Sequence, residues 1–226
     1  MIKHLVVFGD STTRGSELTP QDQSYGELLK DRFGFESIFN YGCPASGPQH
    51  LVIQFKNFLK QTPADTLDQY LAIFWIGGVD RAMIYNREWM FLTPTGGFAM
   101  ADKPFANVAN EQYFKYFYSQ ELAEFNLNTS LITLQSMCKQ YSISDYYLPG
   151  WQSFNCWPEV NLDRVYAQGK QSFYDLFGLS DPIYTVEKSK LNVYIRPNLS
   201  HPNQLGHQLI ADTAYKYISN RLDTQV

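Results

Sequence analysis

Two rhythms of apolar and polar positions run along this chain. Short apolar runs rich in β-branched and aromatic residues stand at Ile2 to Phe8, which runs into Gly9, and at Tyr70 to Ile76, closed by Gly77-Gly78. Runs of this length that stop at glycine read as buried strands. Phe35 to Tyr41, leading into Gly42, and Ile143 to Leu148 read as two more, and a fifth strand is expected within Leu191 to Ile195. The stretches between carry a helical period. Ser24 to Phe33 puts Tyr25, Leu28, Leu29 and Phe33 on one face, with Ser24 to cap the helix and Gly34 to end it. Pro48 suits the first turn of a helix that buries Leu51, Phe55, Phe58 and Leu59. Asn110 is placed to cap a long helical stretch, marked by Tyr113, Phe117, Phe125, Ile132 and Met137, with a break near Asn126 to Asn128. Asn203 is placed to cap a last helix that turns Leu209, Ile210, Ala214, Ile218 and Leu222 inward.

Strand and helix alternate throughout, which predicts an α/β protein with a mostly five-stranded parallel sheet between two helical layers. The expected organisation is one domain over residues 1–226, since that length suits one sizeable core and is small for two. Right-handed crossovers bring the loops after the strands to one edge. Ser11, Gly42, Gly77-Gly78 and Gly150 then meet there from distant parts of the chain. Two longer stretches should border the same edge. One is an aromatic-rich loop insertion around 82–109, with Tyr85, Trp89, Phe91, Gly96-Gly97, Phe98 and Phe105. The other, from Gly150 to Asp163, holds Trp151, Phe154 and Trp157. Long loops inside a compact domain are often functional.

Composition narrows the function classes. The net charge is −4 without a basic cluster, which argues against nucleic acid as a partner. No apolar run is long enough to span a bilayer. The first strand begins at residue 2, leaving no room for a signal peptide, so a cytoplasmic location is expected. Cys43, Cys138 and Cys156 show no metal-ligand spacing, so no metal is expected and the thiols read as reduced. The 16 Tyr, 16 Phe and 4 Trp exceed ordinary usage. They suit a core, and Tyr and Trp also suit a partly wet groove.

Candidate chemistry begins at Gly9-Asp10-Ser11. A serine just past the carboxyl end of a buried strand lies where open α/β sheets hold ligands. Its hydroxyl needs a base to become a nucleophile. Of four histidines, His4 falls in the first strand, His50 in an early helix and His207 inside the last helix. His201, in Asn198-Leu199-Ser200-His201-Pro202-Asn203, lies in the loop that delivers the last helix, where it can reach a strand-end serine. Asp10 reads as a structural residue of the turn, and Cys43 as a small packed thiol.

Taken together these blocks resemble the SGNH (GDSL-like) hydrolases, esterases and lipases with a flavodoxin-like three-layer fold. Gly9-Asp10-Ser11 matches the nucleophile block, and Asn40-Tyr41-Gly42 with Gly47 resembles the second. The resemblance implies Ser11 as nucleophile, His201 as base, and the N–H groups of Ser11 and Gly42 as oxyanion donors. Two departures stand out. The family's Asp-x-x-His has Asn198 in place of its aspartate. As third catalytic residue it can orient the ring through its carbonyl oxygen but supplies no charge. That exchange costs serine proteases about 10⁴ in turnover, though cysteine proteases work with Cys-His-Asn, so a Ser-His dyad, a slower enzyme and an inactive relative all stay open. The family's Gly-x-Asn-Asp meets Gly77-Gly78-Val79-Asp80-Arg81, where neither Val79 nor Asp80 is a neutral amide donor. Arg81 reads equally as a contact for substrate and as a salt-bridging arginine; Asp80, Trp151 and Trp157 are further candidate substrate contacts.

The expected function is a serine esterase without cofactor, most of all one that O-deacetylates a carbohydrate, since sugar faces stack on Tyr and Trp. The same aromatics also suit an acyl-chain lining, or simply loop packing. Asn198 and the altered third block motivate an alternative, a non-catalytic glycan-binding or structural module, including one within a viral particle. A flavodoxin-like cofactor binder fits less well, because Ser11 to Ser16 lacks Gly-x-Gly-x-x-Gly and that reading leaves His201 unexplained.

Overall fold

Four parallel strands form the central sheet of this computed structural model, which describes residues 1–86, 88–93, 104–177 and 201–222. In chain order the elements are β1 (His4–Phe8), α1 (Ser11–Arg14), α2 (Tyr25–Phe33), β2 (Ser37–Asn40), α3 (Pro48–Gln61), β3 (Tyr70–Ile76), β4 (Ala82–Asn86), β5 (Glu88–Leu92), α4 (Pro104–Tyr116), α5 (Gln120–Gln140), β6 (Ser144–Pro149), α6 (Phe173–Leu176) and α7 (Gln204–Leu222). The sheet order is β2-β1-β3-β6, every pair parallel. The chain steps from β1 to one side for β2, then crosses to the other for β3. That reversal opens a crevice at the carboxyl ends of β1 and β3, the usual ligand position of such sheets. The expected fifth strand, Leu191 to Ile195, lies outside the described residues, and the described sheet has four.

Alternation along the strands makes the two outer layers. Leu5, Val7, Ile73, Trp75 and Tyr146 pack with Tyr25 and Leu29 of α2 and with Ile210, Ala214 and Ile218 of α7. Val6, Phe8, Ala72, Phe74 and Tyr147 pack with Leu51, Phe55 and Phe58 of α3 and with Leu127, Leu131 and Leu134 of α5. Much of the aromatic content is therefore core. Phe8 stacks on Phe74 at 4.9 Å, Phe74 stacks on Tyr147 at 5.0 Å, and Phe55 and Phe58 meet Phe8 edge-on.

The local signals that hold are those with complete capping chemistry. Ser24 and Glu27 form a capping box on α2, and Gly34 ends it at φ 70°. Pro48 opens α3. Asn203 Oδ1 accepts the Gly206 N–H at 3.0 Å at the head of α7. The long helical stretch differs from expectation. Asn110 lies inside α4, and its side chain donates to Thr93 O and accepts from Thr93 N, each at 2.9 Å, which ties α4 to the end of β5. Ser119 is the cap that separates α4 from α5. No break occurs near Asn128, whose amide serves the neighbouring loop: it donates to Asn155 O at 3.2 Å and accepts the Trp157 N–H at 2.7 Å. Part of the expected aromatic loop is an antiparallel hairpin, β4 with β5; Gly96-Gly97 and Phe98 lie outside the described residues.

Parallel strands place Asp145, at the start of β6, on the edge of the sheet opposite Ser11. It is 7% exposed, its Oδ2 has no hydrogen bond, and it borders a cleft of about 380 Å³ with Lys139, Glu159 and Arg164. Burial pushes its carboxyl up to about 6, against the weaker opposing pull of the Tyr147 hydroxyl and the Arg164 charge. A carboxyl with a raised native pKa stabilises the fold below its unfolded pKa, and that contribution is lost as pH rises through about 6. In Asp145→Asn the stability at pH 7, relative to pH 4, should rise by up to about 3 kcal/mol against wild type. Urea unfolding at both pH values measures this, and an unchanged pH dependence would refute it.

Candidate active site

Strand β1 delivers the chain to Gly9 and Asp10, and α1 begins at Ser11. Gln54 of α3 clamps that strand end: Gly9 N–H donates to Gln54 Oε1 at 3.0 Å, and Gln54 Nε2 donates back to Gly9 O at 2.9 Å. A side chain on residue 9 would collide with Thr13 Oγ1 and Trp75, so only glycine lets the turn close this tightly. Asp10 caps α1 by accepting the Thr12 N–H at 2.9 Å. Ser11 is the first residue of α1, where a backbone N–H has no intrahelical acceptor.

Asp10 does more than the turn requires. It is wholly buried, and its Oδ2 accepts from Arg81 Nη1 and from Trp151 Nε1, each at 2.8 Å. Arg81 Nη1 also donates to Ser46 O at 3.2 Å, and the guanidinium lies 4.8 Å from the Trp151 ring. The structure thus resolves the two readings of Arg81: it forms a buried ion pair that braces the turn ahead of Ser11, and only 7% of it is exposed. Trp151 shares that role. Its ring also stacks on Tyr174 at 5.0 Å and meets His201 edge-on at 6.3 Å, so it forms part of the wall beside the histidine.

His201 comes to Ser11 from the far end of the chain, with Nε2 2.7 Å from Ser11 Oγ. The other three histidines are engaged elsewhere. His4 Nδ1 meets Ser37 Oγ at 2.9 Å, and His207 Nδ1 accepts the Tyr25 N–H at 3.1 Å. His50 Nδ1 meets Ser46 Oγ at 2.8 Å in a buried pocket that pulls the imidazole down to about 4. Ser46 donates its own proton to Cys43 O at 2.6 Å and is 2% exposed, so this second Ser–His contact is part of the core.

On the far side of the His201 ring, Nδ1 lies 3.0 Å from Glu17 Oε2. Among the described residues neither atom forms a hydrogen bond, and both are shielded from solvent. Nothing in the sequence singled out Glu17, which stands in a polar stretch with no motif spacing to His201. Asn198, expected beside His201, lies outside the described residues.

Gly42, the second expected oxyanion donor, sits beside α1. Gly42 packs against the backbone of α1, where a Cβ would meet Arg14 Cα at 2.8 Å. Its N–H, however, donates to Asn40 Oδ1 at 2.8 Å, while Asn40 Nδ2 donates to Thr13 O at 2.7 Å. This is an aspartate/asparagine-type turn in which the side chain takes the N–H two residues on. Gly42 N–H is therefore held within the turn in this state, and Ser11 N–H is the donor at the serine itself. Val79 is buried in the core. Asp80 Oδ1 is buried without a partner, and burial raises its carboxyl above the usual carboxylate range. Trp157 packs edge-on against Phe125 at 5.7 Å, and the described contacts do not link it to Ser11 or His201. Burial also raises the Cys43 thiol, which keeps it protonated and unsuited to attack. Among the described residues, no group of His, Cys, Asp and Glu side chains is placed to hold a metal, and no helix is long and apolar enough to cross a membrane.

The parallel sheet between two helical layers is the three-layer fold of solved lipolytic proteins of the G-D-S-L family. The chain is similar to a member of the lipolytic G-D-S-L family from Veillonella parvula, with 15% identity over 95% of this chain and 97% of that one at a TM-score of 0.52. It is similar to the psychrotrophic esterase EstA of Pseudoalteromonas sp., with 13% identity over 98% and 99% of the two chains at a TM-score of 0.50. An acetyl xylan esterase from the rumen bacterium Butyrivibrio proteoclasticus matches 98% of this chain with 64% of its own, at 12% identity and a TM-score of 0.52. At these identities the likeness establishes the fold. No protein-family model and no curated protein matches the sequence.

Proposed function

We propose that this protein is a serine esterase that hydrolyses carboxylic esters through an acyl-enzyme, with acetylated carbohydrate as its substrate class. The observation that carries the reading is the 2.7 Å contact between His201 Nε2 and Ser11 Oγ. In the first step Ser11 Oγ bonds to the ester carbonyl carbon while its proton passes to His201 Nε2. The carbonyl oxygen becomes the oxyanion, and Ser11 N–H faces it. Collapse breaks the bond to the leaving alcohol, which takes the proton back from His201. Water then gives a proton to His201 and attacks the acyl carbon; collapse breaks the bond to Ser11 Oγ, which takes that proton back from His201, and the acid leaves.

Two observations favour a small acyl group. Ser11 is 8% exposed, and the Trp151 ring, packed between Tyr174 and Arg81, is a fixed wall beside His201 that limits the space there. The acetyl xylan esterase among the similar structures points the same way. The test has two parts. A fluorophosphonate should label wild type, with the adduct mapping by mass spectrometry to the peptide that holds Ser11. Turnover should favour p-nitrophenyl acetate over the octanoate, and acetate should be released from acetylated xylo-oligosaccharides. Labelling with preference for octanoate would replace the deacetylase by a lipase. Neither labelling nor turnover would leave a binding module on this scaffold.

A further inference from the structure

We infer that Glu17, and not Asn198, is the carboxylate that orients His201, so that the working order along this chain is Ser11, Glu17, His201. The inference rests on the esterase reading above for its catalytic meaning, and on geometry alone for the contact. The imidazole is held between two groups, Ser11 Oγ at 2.7 Å from Nε2 and Glu17 Oε2 at 3.0 Å from Nδ1. A carboxylate facing Nδ1 keeps the proton on that nitrogen. Nε2 then presents its lone pair to the serine hydroxyl, the tautomer a general base needs. The same carboxylate balances the positive ring once it has taken the serine proton.

Three features set Glu17 apart from a surface glutamate. Its Oε2 and His201 Nδ1 lie 3.0 Å apart, are shielded from water, and form no hydrogen bond to any other described residue. Its backbone sits at φ 72°, a left-handed conformation that costs a side-chain-bearing residue about 1–3 kcal/mol and that glycine adopts freely. The loop is also fixed: Gly15 ends α1 at φ 74°, Ser16 N–H donates to Ser11 O at 2.9 Å, and Leu18 N–H donates to Gly15 O at 3.1 Å. One short segment therefore presents both nucleophile and carboxylate, and the histidine alone arrives from a distance. This arrangement answers the missing charge at residue 198, which was the sequence's main reason to doubt catalysis.

Glu17 acts through His201 and is a positioning residue. Glu17→Gln keeps the size and removes the charge. It should lower kcat by about 10³- to 10⁴-fold with KM within about threefold of wild type, the scale seen when a triad carboxylate is lost. Glu17→Asp should recover part of that loss, and Asn198→Ala should stay within about tenfold of wild type. A downfield Nδ1–H proton resonance of His201 should be present in wild type and in Asn198→Ala and absent from Glu17→Gln, with circular dichroism and melting confirming the fold. A folded Glu17→Gln with wild-type kcat, or with the resonance intact, overturns the inference. So does a loss in Asn198→Ala as large as that in Glu17→Gln. Wild type that neither turns over nor takes the fluorophosphonate defeats the esterase reading instead, and the resonance then decides the Glu17 contact by itself.

Discussion

Ser11→Ala is expected to abolish ester turnover while leaving the fold intact. Loss of a serine nucleophile in a Ser–His system costs about 10⁴- to 10⁶-fold in kcat, the residue being binding and oxyanion stabilisation that survive without it. The structure explains why the fold should tolerate it. Ser11 Oγ has His201 as its partner at 2.7 Å, and the backbone of the turn is held by Gln54 and Asp10 rather than by that hydroxyl. Removing one oxygen from the mouth of the crevice leaves those supports in place. The measurement is kcat on p-nitrophenyl acetate beside the melting temperature. A variant within tenfold of wild type would show that another group carries the reaction.

Asp10→Asn should be the most destabilising single-atom exchange near the site. The carboxylate is completely buried, caps α1 with one oxygen, and accepts from Arg81 and Trp151 with the other. Asparagine can keep one acceptor, but its amide then points two hydrogens at two donors and removes the carboxylate charge paired with the buried guanidinium. Breaking a buried pair in this way costs about 3–5 kcal/mol. For a chain of this size that is a fall of about 10 °C or more in melting temperature. Replacing both partners, Asp10→Asn with Arg81→Met, should restore part of the loss, because the donor that faced the lost carboxylate is gone as well. Urea unfolding of both variants tests this, and a single variant within about 1 kcal/mol of wild type would contradict it.

Elements with self-contained chemistry were legible in the sequence. Ser24, Glu27 and Gly34 mark both ends of α2 without help from the rest of the chain, and the unbroken apolar run of β3 has only one way to be buried. Ser11 and His201 were legible for a different reason: each carries a local motif whose place in an α/β fold follows from topology. What failed to show depended on distant partners. Asn110 has the character of a cap, but Thr93 claims its amide from inside α4. The hairpin of β4 and β5 turns without a glycine, so nothing local announced it. Glu17 is the clearest case, since its meaning exists only once residue 201 stands beside it.

The short loop that carries both Ser11 and Glu17 has a consequence for how the site is assembled. Half of it is built as soon as the chain has turned past β1, and the other half waits for α7. That helix is fastened to α2 at its first turn, where Gln23 N–H donates to Gln204 Oε1 at 2.8 Å and Tyr25 N–H to His207 Nδ1 at 3.1 Å. His201 precedes these two fasteners by only a few residues. Partial detachment of one helix, far short of global unfolding, is enough to withdraw the base from the nucleophile. The crevice thus inherits the local stability of a single helix seam, and a partner or a substitution that loosened that seam would act as a brake on the chemistry without touching Ser11.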